Sequence, residues 1–165
     1  MPALYYANVT LHVIAAMMWL GGMFFLGLVG VPVLRSFDAP LRQRLFQELG
    51  LRFRRVGWWA IGVLVFTGVV NLHYRGWLGR TGGLGSREFW RTGTGHALAA
   101  KLLAVAIMIS ISALHDFIEG PRASRAVPGS PAALVLRRRA MLLGRLNAIV
   151  GILLVIAAVR LARGG

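Results

Sequence analysis

The residues able to do chemistry in this sequence are few, and they stand in apolar surroundings. His12 lies in the run Tyr5 to Val31, which carries no formal charge; Asn71 and His73 close a second uncharged stretch; His96 and His115 bracket a third in which Lys101 is the sole charged residue. Imidazole is a ligand for haem iron and for copper, and an ammonium or amide group can hold an anion such as a haem propionate. The chain has no cysteine, so disulfides, thiolate metal sites and iron–sulfur clusters are excluded. Nucleophilic hydrolysis has little to build on. No Ser–His–acid set lies within the apolar runs, the five acidic residues fall in loops or at the ends of those runs, and no glycine-rich phosphate loop precedes a lysine.

The elements that must position these groups are membrane helices. Of 165 residues, 57% are apolar and only 15% charged, with a mean hydropathy of +0.67, well outside the composition of an ordinary soluble domain. Nineteen Lys and Arg face five Asp and Glu, a formal charge of +14. Such a balance in a soluble protein would point to nucleic acid; here the sequence between the basic clusters is too apolar for that partner, and the lipid bilayer takes its place. A span needs about 20 apolar residues. Four stretches qualify, at about 5–31, 56–74, 97–114 and 141–159, predicting an all-α, integral membrane four-helix bundle in a single domain covering 1–165. The N-terminus MPALYYAN has no basic n-region and the run after it is longer than a signal-peptide core, so it reads as a span.

Arginine marks the orientation, because cytoplasmic loops collect basic residues. Twelve lie between the first and second spans or from Arg122 into the start of the fourth, against six in the second loop (Arg75, Arg80, Arg87, Arg91) and at the C-terminus. Both termini are therefore expected on the non-cytoplasmic side of a bacterial-type inner membrane. The second loop, with Gly76, Gly79, Gly82, Gly83 and Gly85 followed by Gly93 and Gly95, reads as a mobile linker or a flexible cover. No internal repeat is evident.

Membrane helices bury small and polar residues against each other, so helical phase assigns inward faces. In span one the stripe is His12, Ala15, Ala16, Trp19, Met23, Gly27 and Gly30; in span two Ala60, Thr67, Gly68 and Asn71, with His73 turned away. Span three gathers Ala97, Lys101, Ala104, Met108, Ser112 and His115, and span four Gly144, Asn147, Ala148 and Gly151. At about 1.5 Å per residue, His12, Asn71 and Lys101 reach the outer half of the membrane, His73 and His96 lie nearer its rim, and His115, Asp116, Arg145 and Asn147 form an inner level.

An ionisable group inside a span is a functional candidate by default. The first reading is a b-type haem redox protein, a membrane oxidoreductase or electron carrier. His12 is an axial ligand beside small Ala15 and Ala16, with His73 or His96 as the second; Lys101, Asn71, Arg75 and Arg91 serve the propionates, and His115 is a further cofactor-binding candidate. A redox partner, a quinone or a larger membrane complex would then exchange electrons with it. The alternative is copper binding or transport by His12, His73 and His96. Of the span-one methionines only Met23 shares the face of His12, so no thioether ladder follows the site. A third reading is a cofactor-free accessory subunit of a membrane complex.

The motifs LHVIAAMMWLGGMFF, RFRRVGWWAIGVLVFTGVVN, GHALAAKLL and RLN, in this order along nearly the whole chain, resemble the copper-resistance D (CopD-like) membrane family. The resemblance implies copper uptake across the inner membrane. A more distant similarity, to the HemJ type of protoporphyrinogen oxidase, implies roles for His12 and Lys101 with haem b, and matches Asn147 and His115 to residues of that group. Asn147 is followed here by Ala148 and Ile149, where that group has an acidic residue and a proline.

Overall fold

The computed structural model describes residues 2–79, 83–127 and 130–164, so Arg80 and Gly82 of the second loop lie outside the described residues. The protein is all-α, and four helices are long and apolar enough to cross a membrane: Ala3–Leu34, Ala39–Tyr74, Gly93–Arg125 and Pro131–Ala162. Each runs beyond the apolar core that defines it in the sequence. The chain divides into two compact units, Met1–Gly79 and Arg80–Gly165.

The first unit is a helical hairpin. Helix α1 (Pro2–Phe25) passes through a π-helical segment, Leu26–Gly30, into the short α2 (Val31–Leu34), and a turn leads to α3 (Ala39–Tyr74). The Asp38 carboxylate accepts from the Leu41 N–H at 3.4 Å and starts α3, with Pro40 in its first turn. Small residues let α1 and α3 approach. Gly57 leaves Trp19 Cδ1 3.8 Å from where a Cβ would stand, and a Cβ on Gly22 would collide with the Phe53 ring. Ala15, Trp19, Ala60 and Ile61 form the buried seam.

The second unit repeats this plan. Helix α4 (Gly93–Ala113) continues through a π segment, Leu114–Glu119, into α5 (Gly120–Arg125), and α6 (Pro131–Ala162) returns. Ser130 caps α6 through its Oγ, which accepts from the Ala133 N–H at 3.2 Å, and a proline again follows the cap. The π segments have a common cause. Val31 N–H bonds back five residues to Leu26 O, and Gly120 N–H to His115 O; the next residue is Pro32 in one case and Pro121 in the other. A proline in a regular helix removes one hydrogen bond and drives its ring into the carbonyl four residues back, and the wider π turn absorbs the mismatch. The sequence shows no repeat because the two hairpins share prolines and caps rather than a residue pattern.

Within Gly83–Thr92, Trp90 Nε1 donates to Leu84 O at 2.9 Å, Phe89 is buried, and Phe89–Arg91 form a 3-10 turn. Thr92 fixes the entry to α4, donating from Oγ1 to Phe89 O at 2.7 Å and accepting from Gly95 N–H at 3.0 Å. Gly95 is required at that step, because a Cβ would strike the Phe89 carbonyl and stand 2.8 Å from Trp90 Cα. At its far end α6 is tied back to α4 by Thr94 Oγ1, which donates to Gly164 O at 2.7 Å.

Candidate functional site

A ladder of polar side chains crosses the apolar seam of the first hairpin. Asn8 and His12, one turn apart on α1, face Thr67 and Asn71, one turn apart on α3. Asn8 Nδ2 donates to Asn71 Oδ1 at 2.9 Å and to Thr67 O at 3.1 Å. Thr67 is completely buried. Its hydroxyl lies 2.6 Å from Val63 O and 2.6 Å from His12 Nδ1.

Those two distances set the direction of the bond to the histidine. Two acceptor oxygens cannot face each other at 2.6 Å, so the Thr67 proton lies on the path to Val63 O. The hydroxyl oxygen is then placed to accept from His12 Nδ1–H. A histidine whose Nδ1–H is held by an oxygen of the scaffold has the arrangement that orients an imidazole for metal binding through the other nitrogen. Beside the ring, Gly68 has no side chain; a Cβ there would be 3.7 Å from His12 Cε1.

The other candidates of the first unit are placed differently. His73 is exposed on α3 two residues beyond Asn71, with its ring 6.1 Å from that of Tyr74. Arg75 stacks over Trp77 at 4.9 Å, and Tyr5 meets Tyr74 edge-on at 5.5 Å, an aromatic belt of the kind found at membrane–water boundaries.

In the second unit, Lys101 is half-buried on α4, on the stripe that includes the buried Leu98, Met108 and Ser112. His96 is exposed in the first turn of the same helix. Asn147 and Ser112 are buried together, with Asn147 Nδ2 donating to Ser112 Oγ at 2.8 Å, and Asn147 Oδ1 has no hydrogen-bond partner. His115 Nδ1 lies 2.8 Å from Asp116 Oδ1 in the π segment. Glu119, three residues on, is buried with only Oε1 near Arg122, at 3.4 Å.

Among the described residues, no three His, Cys, Asp or Glu side chains converge to hold a metal ion. The sequence reading brought out His12, Thr67 and Asn71 but passed over Asn8, although Asn8 stands one turn before His12 on the same face and is the only amide in span one.

Comparison with known proteins decides the family. Residues 47–161 match the family described as copper resistance protein D. The chain belongs to that family. The matched stretch of this copper resistance protein D family member begins within α3, so Thr67, Asn71, Lys101 and Asn147 lie inside it and His12 before it. An uncharacterized protein of Aquifex aeolicus (strain VF5) is 34% identical over 156 residues, which cover 93% of this chain and 92% of that one. No solved structure matches. The protein is thus a multi-pass membrane protein of the copper resistance D type.

Proposed function

We propose that the protein handles copper as cargo within the membrane, and that His12 is the residue through which the first hairpin engages it. The observation carrying this reading is the 2.6 Å contact between Thr67 Oγ1 and His12 Nδ1, which holds the imidazole against α3 through one of its two nitrogens. Family membership supports copper as the metal. One oriented imidazole, backed by amides and without a closed set of ligands, suits an ion that passes through better than one that stays, since transit needs sites weak enough to leave. His73 in the first unit and His96 in the second are further candidate ligands for the ion, and Lys101 and His115 are the ionisable groups of the second unit that would bear on its charge. The excess of arginines in the first and third loops supports an inner-membrane location with both termini outside the cytoplasm.

The haem b reading uses the same histidine. It takes second place because the family description concerns copper resistance. One preparation separates the two. Detergent-purified protein from cells supplied with copper and competent in haem synthesis is examined by elemental analysis, by absorbance spectroscopy and by competition with a Cu(I) chelator. Copper at near-stoichiometric level, held at least about tenfold less tightly by His12→Ala, is the expected result. Equal retention by the variant would overturn it, and a Soret band lost in His12→Ala would establish haem instead.

A further inference from the structure

The first hairpin carries an apolar groove, lined by its own two helices, that the copper reading does not use. It has a volume of about 640 Å³ and is lined by Leu11 of α1 and by Arg55, Trp59, Gly62 and Phe66 of α3, among others. A second groove of about 300 Å³, lined by Ile14, Met18 and Val56 among others, shares Leu11, Trp59 and Val63 with it. The exposed Trp59 side chain lines both grooves.

Three features define the occupant. Arg55, Trp59, Gly62 and Phe66 follow each other at helical spacing, so a cation stands at one end of an apolar track. Arg55 takes part in none of the ion pairs among the described residues, and Arg52 and Arg54 precede it within one turn of α3. From Arg55 to Phe66 the track rises roughly 16 Å, about half of the 30 Å hydrocarbon thickness, which is the depth of one leaflet. Gly62 supplies the third feature. Glycine inside a helix costs about 1 kcal/mol relative to alanine, yet no protein atom lies within 4 Å of where its Cβ would stand. The room is kept on the side of the groove.

We propose that this groove is a binding site for one anionic phospholipid, with its phosphate on Arg55 and its acyl chains along Trp59 in the two grooves. Negative charge is required because the track has a cation and no acid. Two chains are accommodated because Trp59 lines both grooves.

The test uses the full-length protein in mixed bilayers containing phosphatidylglycerol or phosphatidylcholine with brominated chains, which quench nearby tryptophan. Trp59→Phe identifies the Trp59 share of the fluorescence. Quenching at Trp59 should favour brominated phosphatidylglycerol by about fivefold, the effect of one basic residue at an anionic surface. Arg55→Gln should bring the ratio to about one, Arg52→Gln should preserve it, and Gly62→Leu, which has room for its Cβ and a better helix propensity, should abolish the preference. Equal quenching by the two lipids in the wild type overturns the proposal. So does a preference that survives Gly62→Leu, or one lost equally in Arg52→Gln, since either describes diffuse attraction to the headgroups. A second copy of the chain seated on this face, detected as a dimer that Gly62→Leu disrupts, overturns it as well.

Discussion

His12 and Thr67 are joined across the first hairpin by a 2.6 Å bond whose proton belongs to the histidine, because the hydroxyl spends its own on Val63 O, also 2.6 Å away. A buried threonine thereby holds one imidazole nitrogen against α3. Thr67→Val keeps the volume and removes the oxygen. It should weaken Cu(I) retention by about 10–100-fold, the usual effect of losing the group that orients a ligand, while Thr67→Ser should stay close to wild type. Chelator competition on the purified variants measures both, and a Val variant that binds as the wild type does would separate the threonine from copper handling.

Asn8 and Asn71 form the second rung of the ladder. Polar pairs between membrane helices average about 0.6 kcal/mol and reach about 1.7 kcal/mol. A double-mutant cycle of Asn8→Ala and Asn71→Ala, read from unfolding in mixed micelles, should give a coupling in this range. Additivity of the two single changes would mean that the pair contributes nothing as a pair.

Much of this was legible in the sequence, and the failures have physical reasons. The four spans follow from apolar length alone, interrupted only by Lys101 and Arg145. The inward face of span one was correct at Ala15 and Trp19, both buried, but its continuation to Gly27 was not, since Gly27 is exposed. Helical phase cannot be carried through the π turn that begins at Leu26. That Asn8 meets Asn71 and His12 meets Thr67 depends on how far α1 slides along α3, which Gly22 and Gly57 set through Phe53 and Trp19, and a single helix's pattern does not contain that offset. At Gly95 the glycine serves close approach to Phe89 and Trp90, which loop composition alone does not distinguish from flexibility.

In the second hairpin, Ser112→Ala should leave the buried Asn147 amide without its partner and cost about 1–3 kcal/mol. Combining it with Asn147→Leu removes both polar groups and should recover most of that loss. Denaturation of the two variants side by side checks the order; a double variant less stable than Ser112→Ala contradicts it.

Gly95→Ala and Gly144→Ala should act in opposite directions. At Gly144 a Cβ meets nothing within 4 Å, so alanine should stabilise by about 0.4–1 kcal/mol. At Gly95 it collides with the backbone of Phe89 and Trp90, and an overpacking cost of about 1–3 kcal/mol or more is expected. Thermal unfolding in detergent distinguishes them, and a Gly95→Ala variant as stable as the wild type would contradict the tight entry to α4.

The π turns ahead of Pro32 and Pro121 also bear on how this chain can change over time. Each turn holds one residue more than a regular helix would use over the same rise, so each is a place where one codon more or less changes the helix locally. Deleting that codon alone would return the proline to a regular turn, against the carbonyl of Leu28 or Phe117. Losing the proline alone would leave a wide turn with nothing to require it. Length and proline are therefore linked characters at both places, and chains built on this plan should lose or keep the two together.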